Sequence, residues 1–312
     1  MTTLLERDFE LLAIQLEADD NYRVLRRFKP RRRYQEEGEI TPESIGRGLL
    51  LDTETTGREP VTDRIIELGL VSFTFDKHSG LPIEVTDTYN SLEDPGMPID
   101  PAASRVNGIT DEMVKGQRID DARVEAMASG ADLVIAHNSA FDREFTERRW
   151  PIFRELPWAC SRSQIDWSAE GITGTKLDYI AYRLGFFYEA HRAEMDCLAL
   201  LEVLARPLPV SGQPGLKQLL TRFDYKELRL WAMDSPYERK GLLSARGYRW
   251  GDGTQGKEKA WFTTLPEEKL TEEIAWLRAN IYGRPGRVVL DTVDARCRFS
   301  PRRLETRVVH FG

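Results

Sequence analysis

The sequence is poor in cysteine and has no long apolar run, and both absences narrow its chemistry. Its three cysteines, Cys160, Cys197 and Cys297, are odd in number, scattered and never in CxxC spacing. That excludes a disulfide framework and a thiolate zinc site as organising principles. No stretch approaches the roughly 18 apolar residues of a membrane helix. Mean hydropathy is -0.46, and the charged start Glu6-Arg7-Asp8 is unlike a signal peptide. A soluble, cytoplasmic protein without a membrane partner is expected. Internal repeats and low-complexity tracts are missing too. What remains suffices for a real core, with 41% apolar and 10% aromatic residues in a chain of 312. That length allows one large domain or two ordinary ones.

The net charge of -7 conceals a polarity along the chain. Residues 1–48 carry 9 basic and 10 acidic side chains, residues 49–212 carry 16 and 28, and residues 213–312 carry 19 and 13. An acidic centre beside a cationic tail fits a metal-dependent site joined to a module that holds a polyanion. Ordinary solvated surfaces fit the same numbers.

Three regions are expected. Residues 1–47 read as a helical arm, with apolar residues at near-helical spacing from Leu4 to Phe28, and a basic linker, Arg26 to Arg33, broken by Pro30. Such a run is ordinarily a solvated tether, with nucleic-acid contact the alternative. Residues 48–208 read as α/β. Strands at Leu49–Leu51, Arg64–Phe75 and Ile83–Tyr89 form an antiparallel meander, followed by helix 120–129, strand 133–136 and helices 141–150, 176–184 and 193–205. A mixed sheet covered by helices follows from that order. Prolines and glycines from Pro207 to Gly215 mark a boundary, and residues 216–312 read as a small cationic α+β module with a ferredoxin-like β-α-β-β-α-β succession.

Three acidic elements carry chemistry. Asp52-Thr53-Glu54 ends the first strand, and residues i and i+2 of a strand share a face, so the two carboxylates can share a cation. Two solvated acids before the Thr55-Thr56-Gly57 turn are the bland alternative. His137-Asn138-Ser139-Ala140-Phe141-Asp142 runs from strand into helix, where Asn138 or Ser139 can cap and Asp142 falls in the first turn. His137 reads as a structural histidine, and Asp142 alone could merely stabilise the helix start. His191 and Asp196 lie five residues apart, roughly 140° around a helix, so they converge only if His191 precedes it. On a loop there, His191 could reach a metal-held water while Asp196 serves as ligand. Glu67 lies outside these elements and reads as structural.

In this order, Asp52-x-Glu54 with Thr55-Thr56-Gly57, His137-Asn138-x-x-Phe141-Asp142, and His191-x-Ala193-x-x-Asp196 resemble the three motifs of the DnaQ-like DEDDh 3′-to-5′ exonucleases. Arg64-Ile65-Ile66-Glu67-Leu68-Gly69 and Val106-Asn107-Gly108-Ile109-Thr110 are similar as well, with Asn107 standing where family members often have histidine. The resemblance covers about residues 48–206. It implies an RNase H-like fold in which Asp52, Glu54, Asp142 and Asp196 hold two Mg²⁺ or Mn²⁺ ions. Asp52 would bridge them and His191 would take the proton from the attacking water. Arg192, four residues before the last aspartate, replaces the tyrosine of the related branch and implies the histidine type. Thr55, Thr56, Asn138 and Phe141 would hold the terminal nucleotide.

The implied activity is hydrolysis of phosphodiester bonds at nucleic-acid 3′ ends, DNA favoured, releasing nucleoside 5′-monophosphates in proofreading, repair or turnover. A catalytically idle nucleic-acid-binding scaffold and an oligoribonuclease-type RNA exonuclease are the alternatives. The expected partner is nucleic acid with a free 3′ end, with a polymerase or clamp as a further one. In the tail, Trp231, Tyr248, Trp250, Trp261 and Phe262 alternate with Arg246, Arg249, Lys257 and Lys259. They could stack unpaired bases or form the module's core. Gln218–Phe223 faintly resembles a clamp-docking peptide, but its spacing fits an amphipathic helix turn better.

Overall fold

The computed structural model describes residues 4–35, 40–223, 225–253, 258–300, 302 and 304–312. Lys257 lies outside them. The strands among the described residues are Arg26–Arg27 (β1), Ile45–Thr55 (β2), Ile65–Asp76 (β3), Pro82–Leu92 (β4), Leu133–Ala136 (β5), Trp158–Cys160 (β6), Phe186–Phe187 (β7), Glu227–Ala232 (β8), Arg249–Trp250 (β9), Trp261–Leu265 (β10), Gly286–Val293 (β11) and Thr306–Phe311 (β12). None of the described helices is long and apolar enough to cross a membrane. Two compact units divide the chain, one from residues 1–138 and 160–220 and the other from 139–159 and 221–312.

The first unit carries the mixed, helix-flanked sheet expected of an RNase H-like fold, in the order β4-β3-β2-β5-β6, with Cys160 at its far edge. β2 pairs antiparallel with β3 and parallel with β5. Leu49, Leu50 and Leu51 are all buried, because a central strand covered on both faces needs an unbroken apolar run. The helix Ala193–Ala205 packs on β2 and β3. Gly69 of β3, opposite Asp52, lets it approach: a Cβ there would lie 2.3 Å from the Ala193 carbonyl carbon.

The N-terminal segment departs from the expected tether. Its helix stops at Glu17, and Arg26–Arg27 forms a parallel pair with β7. The basic run is neutralised locally: Arg26 bonds Glu10 and Glu17, Arg27 bonds Glu189, and Arg31 bonds Glu202. The backbone pairing of Arg26–Arg27 with Phe186–Phe187 docks the arm. The Gly215–Thr221 helix buries Leu216 and Leu219, which favours the amphipathic-turn reading over a displayed clamp peptide.

The second unit holds an antiparallel sheet in the order β12-β11-β8-β10-β9. Helices Lys240–Ala245 and Leu270–Leu277 fall between its strands in the expected succession, and β12, absent from the sequence reading, adds an edge. Trp231 and Tyr248 are buried and serve the core, whereas Trp250 is 51% exposed and meets Trp261 edge-on at 5.8 Å. The same unit includes the helix Ser139–Arg149, with Asp142 in its first turn.

Candidate active site

Asp52 and Glu54 reach the site because β2 projects alternate residues from one face, and the register slips only after Glu54. Asp196 joins them from the first turns of the Ala193–Ala205 helix. One carboxylate oxygen from each of the three lies within 4.8 Å of the others, and all three side chains are half-buried. An oxygen-only donor set of three carboxylates suits a hard divalent cation.

Asp196 accepts hydrogen bonds at both of its oxygens. Its Oδ1 accepts the Tyr188 hydroxyl at 2.7 Å, and its Oδ2 accepts the backbone N–H groups of His191 at 2.8 Å and Arg192 at 3.1 Å. Burial pushes its carboxyl above the usual range, against the pull of those donors. Tyr188 is pushed far up by burial and by the Asp196 charge, so it remains a donor.

His191 does precede the helix. Its φ of 67° is left-handed, a region in which histidine is tolerated better than most non-glycine residues. Its side chain is exposed, free of the packing that would fix a buried imidazole. Glu67 anchors the same turn: it accepts from Arg192 at 3.0 Å and from the Ala193 N–H at 3.3 Å.

His137 is structural, as expected. Its Nε2 donates to the Thr175 carbonyl at 2.7 Å and its Nδ1 accepts the Ser161 hydroxyl at 2.9 Å. Burial lowers its pKa to about 4, so the ring is neutral with the proton on Nε2. Asp142, on the second unit, is buried, and its carbonyl accepts the Thr146 hydroxyl at 2.8 Å. Phe141 packs on Phe145 at 5.0 Å, and Asn138 is exposed. The Thr56 amide donates to the Arg64 carbonyl at 2.9 Å, and its hydroxyl donates to Asp63 at 3.0 Å. The Thr55 hydroxyl closes the turn onto the Gly57 carbonyl.

Two contacts to the clustered carboxylates escaped the sequence reading. Tyr188 sits in an irregular stretch after β7 with no periodicity to mark it. Asn107 donates to Glu54 at 3.3 Å; its place in the motif-like stretch was visible, its partner was not.

A nuclease is the class of protein that the clustered carboxylates and their sheet define. The sequence profile of the RNase T exonuclease family matches residues 49–204, and the chain belongs to that family. Among curated proteins it is 30% identical over 179 residues to a PolC-type DNA polymerase III of Thermotoga maritima, covering 55% of this chain and 12% of that one. It is 29% identical over 165 residues to a DNA polymerase III subunit epsilon of Treponema pallidum, covering 49% of this chain and 72% of that one. The chain thus spans about an eighth of the length of the PolC-type relative. Among solved structures, exonuclease X in complex with 5′ overhanging duplex DNA is similar at 22% identity and a TM-score of 0.40, over 55% of this chain and 99% of that one.

Proposed function

We propose that this exonuclease acts in the 3′-to-5′ direction, as a DEDDh enzyme on nucleic-acid ends with DNA favoured, and releases nucleoside 5′-monophosphates. The observation that carries the reading is the meeting of Asp52, Glu54 and Asp196 within 4.8 Å, beside a loop whose His191 amide is tied to Asp196. Asp142 enters as the fourth ligand on its motif and its place in the first helical turn.

Two divalent ions, magnesium or manganese, would supply an acidified water and charge stabilisation at the leaving oxygen. The chain's own residues do the rest. Asp52, Glu54, Asp196 and Asp142 would hold the ions through their carboxylates. His191 accepts a proton from the attacking water at an imidazole nitrogen. As the water oxygen bonds to phosphorus, the bond from phosphorus to the 3′ oxygen breaks, and the shortened strand takes up a proton there. Asn107 and Tyr188 hold Glu54 and Asp196 in orientation. Asn138 and Thr55 border the terminal nucleotide, and Phe141 offers a stacking surface. Kinship with an epsilon subunit supports a cytoplasmic enzyme working with a polymerase.

The test uses end-labelled single-stranded DNA, RNA and mismatched duplex with Mg²⁺. Stepwise shortening is expected, DNA fastest, and lost in Asp52→Ala and His191→Ala. Wild-type protein that binds these strands without shortening any of them would establish the idle scaffold instead.

A further inference from the structure

Arg143 follows Asp142 on the Ser139–Arg149 helix, and its side chain is wholly buried. A buried guanidinium is costly unless its N–H groups are satisfied, and a ring of acceptors satisfies them here. Nε donates to Glu147, Nη1 to the Arg298 carbonyl at 2.9 Å, and Nη2 to the carbonyls of Arg296 at 2.6 Å and Arg154 at 3.4 Å. The fork also lies 5.3 Å from the centre of the Trp158 ring.

A second set of bonds closes the same join. The Ser300 hydroxyl donates to the other Glu147 oxygen at 2.8 Å, Arg302 donates to the Arg296 carbonyl at 2.7 Å, and the Trp158 N–H donates to the Ala295 carbonyl at 2.8 Å. The turn that follows β11 therefore grips the helix from a sequence distance of about 150 residues. Glu147 at i+4 alone would give Arg143 an ion pair. The three carbonyls from other segments need a planar fork, which lysine cannot supply.

We propose that Arg143 is a positioning residue. Through its grip on the turn at residues 294–302 it sets the rotation and height of the helix bearing Asp142, which makes the C-terminal module a working part of the nuclease. The inference rests on Asp142 as a metal ligand, where misplacement by about 1 Å can lower the rate a hundredfold.

The full-length wild type is compared with Arg143→Lys, Arg143→Met, Ser300→Ala and Asp142→Ala. Three quantities are measured: kcat and KM on end-labelled single-stranded DNA with Mg²⁺, Mn²⁺ binding by electron paramagnetic resonance, and the melting temperature. Arg143→Lys and Arg143→Met are expected to lower kcat about tenfold or more with KM nearly unchanged, and to weaken one of two Mn²⁺ ions about tenfold. Asp142→Ala is expected to lose that ion, and Ser300→Ala to show a smaller effect of the same kind. Arg143→Lys with wild-type kcat and Mn²⁺ binding, whatever its melting temperature, overturns the proposal. If Arg143→Met fails to fold, Arg143→Lys and Ser300→Ala decide. Wild-type protein that shortens no 3′ end refutes the exonuclease reading separately, and the Mn²⁺ measurement still decides the grip.

Discussion

Glu67, a carboxylate wholly shielded from solvent, holds the Arg192 guanidinium at 3.0 Å. Its second oxygen takes the Ala193 amide, and Asn90 donates to the first at 3.0 Å. Strand β3 thereby fixes the point at which the His191 loop enters the helix. Glu67→Gln keeps the shape and loses the charge. The variant is expected to be less stable by about 1–3 kcal/mol in urea unfolding, the range for a hydrogen bond to a buried charged group. It is also expected to lower kcat more than it raises KM, because the loop bearing His191, the proposed proton acceptor, loosens. Native stability together with native kcat would show that the pair does neither.

The three clustered carboxylates repel one another until a cation neutralises them. Ligands that bind only the folded state add stability, about 2.7 kcal/mol at a hundredfold excess over Kd. Mn²⁺ or Mg²⁺ is expected to raise the melting temperature of the wild type. Asp52→Asn, with less repulsion, is expected to melt at or above the metal-free wild-type temperature and to gain little on adding metal. Equal gains in both proteins would mean that Asp52 holds no ion.

His137 gives a pH dependence whose sign is fixed by its low pKa of about 4 against an ordinary value of 6.5. Between those values the unfolded chain binds the proton and the folded chain does not, so stability falls as pH drops from 6.5 toward 4. The groups that act on the ring are Arg162, which lowers its pKa further, and Asp178, which raises it. Unfolding curves at pH 7 and pH 4.5 are expected to lose on the order of 2 kcal/mol more in the wild type than in His137→Gln. Identical losses would show that the ring is protonated in place.

The sheet and its motif residues were legible because period and chemistry coincide there. Leu49–Leu51 ran apolar without a break since β2 is covered on both faces, and Asp52 and Glu54 ended it on one face. The pairing of Arg26–Arg27 with Phe186–Phe187 was not legible, because it joins segments far apart in the chain that no local period connects. Tyr188 lies in irregular backbone and Asn107 closes the short helix Pro101–Asn107, and at neither place does spacing announce a side chain's partner. The grip of Arg143 on residues 296 and 298 uses main-chain carbonyls, which every residue possesses and no sequence pattern marks.

Asp291 of β11 is the hub of the second unit's sheet. Nearly inaccessible to solvent, it accepts Arg229 through both oxygens at 3.0–3.2 Å and the indole N–H of Trp231 at 3.0 Å. Asp291→Ala leaves a largely buried guanidinium and a buried indole N–H unpaired, and breaking such a pair from one side costs about 3–5 kcal/mol. Asp291→Asn keeps an acceptor and is expected to cost less. Because the helix of Asp142 belongs to the same compact unit, the half-life of nuclease activity on warming is expected to shorten in the order Asn then Ala. Thermal unfolding and residual activity measured on the same samples test this. An alanine variant that unfolds early yet keeps wild-type activity through that transition would show that the sheet and the Asp142 helix do not fold as one.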